Sequence, residues 1–265
     1  MDNRPIGVFD SGLGGLTAVT ELMRIMPNEN IIYFADSARV PYGSRCVEEL
    51  RRMAAEDLEL VASYDTKAII VACGTLSSNA EDIIKDFAVP SVGVIDPTVE
   101  TAAMINADAP IGIIATSATV KNGAFEKKLA ALCPEREIIS IACPDFVPLI
   151  ESGHCKADDA QLCNAVKKYL EPMKDIGVKA LILGCTHYGL IADAIRAYLG
   201  DGVELISAAA CAANKLREYI DANGISGGAG ERLYITSGSV EEFTPLAGML
   251  LGTDVRGKVI HRWTK

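Results

Sequence analysis

The 265-residue chain predicts an α/β fold of two pseudo-symmetric domains with mostly parallel central sheets. Three observations carry that prediction. Short, continuous apolar runs alternate with helical patterns, as expected of strands buried on both faces and joined by crossover helices. The opening Ile6–Gly12, IGVFDSG, has an echo in Ile111–Thr119, IGIIATSAT. Lys67–Thr75, KAIIVACGT, has a second echo in Lys179–His187, KALILGCTH, at a similar distance from its own opening.

The elements follow in order. Ile6–Phe9 is the first expected strand, and a glycine-rich turn leads from it into a helix over Leu16–Met26. Ile31–Phe34 is the second strand. Val47–Tyr64 places Leu50, Met53, Ala54, Leu58 and Val61 at helical spacing. Ala68–Ala72 and Ser91–Val94 are strands, and Asp96-Pro97 marks a loop before a further helix. The second half opens with strands Ile111–Ala115 and Glu137–Ile141. Helix Asp159–Met173, strand Ala180–Leu183, helix Leu190–Tyr198 and strand Val203–Ile206 follow. Helix Ala209–Asn223 and strand Leu233–Ile235 come last, joined by GISGGAG (Gly224–Gly230), which reads as a mobile surface loop. The changeover is expected near Ile95–Thr101. The segment from Ala209 onward fits either half by pattern and is assigned to the first, so the domains are 1–97 plus 209–265 and 98–208.

Composition narrows the function. Hydrophobic residues make up 49% and charged residues 23%, a globular balance with enough apolar side chain for two cores. A net charge of -10 disfavours a nucleic-acid partner. No apolar run approaches the roughly 20 residues that span a bilayer, so no membrane partner is expected. The beginning, MDNRPIGVFDSG, lacks a secretory apolar region, and a cytoplasmic location is expected. The eight cysteines contain no Cys-x-x-Cys and no zinc-like spacing with histidine, and are read as free thiols with no metal.

In parallel α/β sheets, ligands bind beyond the C-terminal strand ends, and four such ends carry polar or reactive groups. FDSGLGGLT lacks the lysine of a phosphate loop, and Thr17 replaces the third glycine of a dinucleotide fingerprint. It reads either as a turn capped by Asp10 or Ser11, or as a binding loop for a small carboxylate or amine with Asp10 facing an ammonium. Pro41-Tyr42-Gly43 is either a surface turn or one that presents an aromatic hydroxyl and a bare N–H. Cys73 and Cys185 each follow a buried strand and precede a helix, whose N-terminus lowers a thiol pKa. Thr75 and Thr186 add hydroxyls beside them. His187 either shares the Cys185 site or packs as a structural histidine. Two thiols facing each other across a cleft suit removal of a proton from one face of a carbon and delivery to the other. A disulfide redox couple would need them adjacent in the Cys-x-x-Cys manner.

Taken together, IGVFDSGLGGLT, YFADSARVPYGSR, VACGT, IGIIATSAT with GAF after it, CPDFVPLIESG, LILGCTHYGLI and YITSGSVEEF resemble the glutamate racemases of the cofactor-independent aspartate/glutamate racemase superfamily, nearly end to end. The resemblance implies interconversion of L- and D-glutamate with no cofactor, in a cleft between the two domains, to supply D-glutamate for peptidoglycan synthesis. It implies Cys73 as acid/base toward D-glutamate, assisted by Asp10. It implies Cys185 toward L-glutamate, assisted by His187, with the Glu151 carboxylate nearby. Asp10, Ser11, Tyr42, Gly43, Gly74, Thr75, Thr116, Thr119, Thr186 and His187 are implied as substrate-binding residues, and a homodimer as the assembly. His154 and His261 match no functional position. The family's Cys-Asn-Thr reads Cys73-Gly74-Thr75 here, and the proline of Cys-Thr-His-Tyr-Pro is Gly189. Rival readings are a racemase of aspartate or another acidic amino acid, and a non-catalytic ligand-binding protein on the same scaffold.

Overall fold

A computed structural model of the chain describes residues 1–105 and 109–262; residues 263–265 of the C-terminal segment lie outside the described residues. The first half runs β1 (Ile6–Asp10), α1 (Leu16–Ile25), β2 (Ile31–Ala35), α2 (Val47–Ala62), β3 (Ala68–Val71), α3 (Gly74–Asn79), α4 (Glu81–Lys85), β4 (Ser91–Gly93) and α5 (Ile95–Met104). The second half continues with β5 (Ile111–Ala115), α6 (Ser117–Asn122), α7 (Ala124–Leu132), β6 (Ile138–Ala142), α8 (Phe146–Glu151), α9 (Ala160–Ile176), β7 (Ala180–Leu183), α10 (Ala192–Leu199) and β8 (Glu204–Ser207). The chain ends with α11 (Ala208–Ala222), β9 (Arg232–Thr236), α12 (Val240–Leu251) and β10 (Val259–His261). Among the described residues no helix is long and apolar enough to cross a membrane.

Two sheets result, with strand orders β10-β9-β2-β1-β3-β4 and β6-β5-β7-β8, and their paired strands are parallel. The second sheet repeats the β2-β1-β3-β4 order of the first, and β9 and β10 extend only the first. Register repeats as well: Ile6 pairs with Ala68 and Ile111 with Ala180, so each Lys-Ala segment meets the start of its own opening strand. Alternate strand residues feed opposite faces. Ile6, Val8, Ile111 and Ile113 join one core with residues of α1, α5 and α11, a helical layer shared by both sheets. Phe9, Phe34, Ile69 and Val71 turn the other way and meet Leu50, Met53, Leu58 and Val61, the predicted apolar stripe of α2.

The structure corrects several boundaries. Asp96 and Pro97 lie inside the first turn of α5 rather than before it, because a proline at a helix start gives up an N–H that has no intrahelical acceptor. Helix α9 runs past Met173 to Ile176 despite Pro172. Buried Leu170 and Met173 hold it there, and Gly177, with φ of 77°, ends it. The GISGGAG segment is anchored. The buried Lys67 ammonium lies 2.5 Å from Glu29 and donates to the Ile225 and Gly227 carbonyls at 2.9 and 3.1 Å, while the Gly227 amide donates to Glu29 Oε1 at 3.0 Å. His154 pairs with Asp159 at 2.8 Å and His261 meets the Ser237 carbonyl at 3.2 Å, both in packing roles.

Candidate active site

Backbone bonds carry the sheet geometry directly to the two cysteines. The Ala72 amide donates to the Phe9 carbonyl at 2.9 Å, and the Gly184 amide donates to the Ile114 carbonyl at 2.8 Å. Each thiol therefore sits one residue past a ladder bond, at equivalent ends of the two sheets. Both line a cavity of about 420 Å³ where the C-terminal strand edges of the sheets meet, a size in the range of small-molecule sites. Asp10, Ser11, Tyr42, Gly43, Gly74, Thr75, Thr116, Glu151, Thr186 and His187 line the same cavity.

The surroundings of the two thiols differ. Cys73 is the N-cap residue of α3 and lies beside the Asp10 carboxyl. Burial pushes the Cys73 thiol well up and the Asp10 charge adds to this, outweighing the Leu76 and Thr75 amides. The expected lowering by the helix terminus is thus reversed, because α3 has only six residues and the thiol is buried. Asp10 is itself raised by burial, against the opposing pull of His187, the Ser11 amide and the Thr186 hydroxyl. Cys185 Sγ lies 3.7 Å from His187 Nδ1, and His187 Nε2 lies 3.1 Å from Glu151 Oε1. Burial opposes charge on His187, but its bonds to Cys185 and Glu151 prevail and hold it well above the usual imidazole range.

The polar contacts bridge the cleft. The Thr186 hydroxyl donates to Asp10 Oδ2 at 3.1 Å, and the Thr75 and Thr116 hydroxyls meet at 3.0 Å. Thr119 does not line the cavity. One turn into α6, its hydroxyl rests 3.0 Å from that of Thr116, so it supports Thr116 from behind. Tyr42 lines the cavity with its ring, while its hydroxyl, expected to face the site, donates away from it, to Asp36 and, at 3.2 Å, to Asp57. Neither Asp10 nor Ser11 caps α1, whose N-cap is Gly15 with no side-chain bond. The glycines of DSGLGGLT serve close packing. A methyl group at Gly12 would sit 2.9 Å from Glu151 Oε1, and one at Gly14 would overlap the His187 ring.

Sequence reasoning missed the apolar wall of Val40, Pro41, Pro144, Val147 and Pro148, and a third thiol, Cys143. Burial pushes the Cys143 thiol up, so it remains protonated. Their signal was present in RVPYG and CPDFVP, where prolines flank the site. Such a wall lowers the local dielectric and strengthens the electrostatic contacts beside it.

The Asp/Glu/Hydantoin racemase family model matches residues 16–216. The glutamate racemase of Desulforudis audaxviator is 40% identical over 259 residues, covering 94% of each chain. Among solved structures, the glutamate racemase of Francisella tularensis in complex with D-glutamate superposes with a TM-score of 0.90 at 35% identity, over 100% of this chain and 99% of that one. A glutamate racemase isoform of Bacillus anthracis gives 0.91 at 32% identity, over 100% and 98%. With two like-ordered sheets, two thiols on one cavity and matches across nearly its whole length, this chain belongs to the Asp/Glu/Hydantoin racemase family.

Proposed function

We propose that this protein is a glutamate racemase that inverts the α carbon directly between two thiols. The observation that carries the reading is a single cavity lined by Cys73 and Cys185 from equivalent strand ends. The D-glutamate bound by the Francisella tularensis relative supports the choice of substrate.

In the L-to-D direction, Cys185, as a thiolate beside the His187 imidazolium, takes the α-proton; an S–H bond forms and the C–H electron pair stays on the α carbon until Cys73 protonates it. Cys73, held as thiol by burial beside Asp10, gives its proton to the opposite face and becomes the thiolate. The D-to-L direction reverses each step, with Asp10 placed to exchange a proton with Cys73. Asp10, Ser11, Tyr42 through its amide, Gly43, Gly74, Thr75, Thr116, Thr186 and His187 hold the substrate. Such paired acid and base groups contribute about 10²–10⁴-fold each to proton transfer at carbon. We further take residues 1–97 with 209–265 and 98–208 as the two domains that close on the substrate. We assign the protein to the cytoplasm as a homodimer whose D-glutamate serves peptidoglycan synthesis, with no nucleic-acid or membrane partner.

Incubation with L-glutamate in deuterated water, with no added cofactor, is expected to give loss of optical rotation and incorporation of one α-deuterium into D-glutamate. A folded sample that leaves glutamate unchanged sinks the reading; faster turnover of aspartate in a substrate panel replaces glutamate as substrate. Glu151→Gln weakens the bond that holds His187 charged, a charge-assisted interaction of about 1.5–3 kcal/mol. It is expected to lower kcat/KM about ten- to a hundredfold. Because the two enantiomers are equal in free energy, kcat/KM must fall equally in both directions; a fall in one alone would mean that the assay had not measured the reversible reaction.

A further inference from the structure

After β2 the chain leaves the sheet in a single 3-10 turn, residues 37–39, and then forms the Val40–Ser44 segment that walls one side of the cavity. Apart from the amides of Arg39 and Arg45, which close local turns, the backbone of this stretch has few anchors. The Tyr42, Gly43 and Ser44 amides have no protein acceptor among the described residues. The segment also meets the opposite half of the cleft: a methyl group at Gly43 would sit 3.3 Å from Thr116 Cβ.

The anchor lies behind the segment. The Arg39 guanidinium reaches three carboxylates: Asp36 through Nε, Glu56 through Nη1, and Asp57 through Nη2 at 2.7 Å. The Asp36 and Asp57 side chains are fully buried. Tyr42 closes the cluster by donating to both of them. Ser237 Oγ donates to Asp36 Oδ1 at 2.8 Å and accepts from the Ala38 amide at 3.0 Å. Arg45 Nη2 clamps the Arg39 carbonyl at 2.6 Å. The Asp36 amide donates to the Asp10 carbonyl at 2.9 Å, which links the cluster to the acid beside Cys73. The guanidinium serves the three carboxylates from three separate nitrogens held in one plane, whereas a lysine ammonium concentrates its three donors at one point and cannot span them.

We propose that Arg39 is a positioning residue that, through Asp36, Asp57 and Tyr42, presets the Val40–Ser44 wall with its free amides turned to the far carboxylate of the substrate. This deepens the racemase reading and rests on it. The side chain of Arg39 touches no substrate; it acts by sparing the loop the cost of ordering when substrate binds.

The test compares Arg39→Lys and Tyr42→Phe with the wild type on both glutamate enantiomers. Each variant is expected to raise KM about tenfold while kcat stays within about twofold, the mark of lost ground-state binding. A loss of stability alone would not split the two constants in this way. Should Arg39→Lys fail to fold, Tyr42→Phe removes one hydroxyl, keeps the ring and carries the same test. Unchanged KM, or a fall in kcat at unchanged KM, overturns the assignment. A wild-type chain without racemase activity overturns the underlying reading instead.

Discussion

Replacing Cys73 or Cys185 with alanine is expected to lower racemisation of either enantiomer by about 10⁴-fold, at the upper end of what one positioned acid or base contributes. Among the described residues, each alanine removes the only sulfur on its face of the cavity that stands one residue past a ladder bond. Cys143 is no substitute, since it follows β6 and is held as a thiol by burial. The losses should be equal in both directions for kcat/KM, and the double variant should be little worse than either single one, because both thiols belong to one transfer. The partial reactions separate them. An acidic amino acid with a leaving group on its β carbon needs only one base for elimination. Cys185→Ala should retain elimination from the D form, and Cys73→Ala from the L form. Near-normal racemisation by either variant would show that inversion does not run between the two thiols.

The second large effect is expected at Gly74. A Cβ there would fall inside contact distance of the Gly184 carbonyl oxygen, and Gly184 is close-packed in turn, since a Cβ added to it would lie 2.9 Å from the Phe125 ring and 3.0 Å from the Ile114 carbonyl. The residues next to the two cysteines thus meet as bare backbone, with no side chain to yield. Gly74→Ala is expected to push the two thiol loops apart by about an ångström. A misplacement of that size costs about 10²-fold in rate. The resemblance places an asparagine at this position in the family, so Gly74→Asn separates two accounts. If only a substrate-gripping amide is missing, kcat/KM should rise. If close approach governs, it should fall at least as far as in Gly74→Ala, and the geometry favours the fall.

The strands were legible because burial on both faces leaves an unbroken apolar run, as in Ala180–Leu183. The long helices were legible where a single stripe faces the sheet, as in α2. Helices α3, α6 and α8, six residues each, make fewer than two turns and have no period to detect. β10 has three residues and one buried side chain. Within the site, residue types at strand ends could be read, because chemistry and position coincide there. Directions could not. Nothing local says that the Tyr42 hydroxyl leaves the cavity, since its acceptors Asp36 and Asp57 come from separate elements. Nor does spacing show that the glycines before α1 make room for His187 and Glu151, which arrive from far along the chain. Tertiary contacts decide these points.

The unlike partners of the two thiols have a kinetic consequence. Burial favours the thiol form of Cys73, and the contacts of His187 with Cys185 and Glu151 favour the charged imidazolium. In the proposed reaction, turnover from L to D leaves Cys185 with the substrate's proton and Cys73 without its own. That form is primed for the product just released and unfit for another molecule of the starting enantiomer. Before the same direction can repeat, a proton must pass between protein and solvent with the cavity empty of ligand. The catalyst therefore keeps a record of its last substrate, and at saturating concentrations the erasure of that record is a step that further substrate cannot hasten.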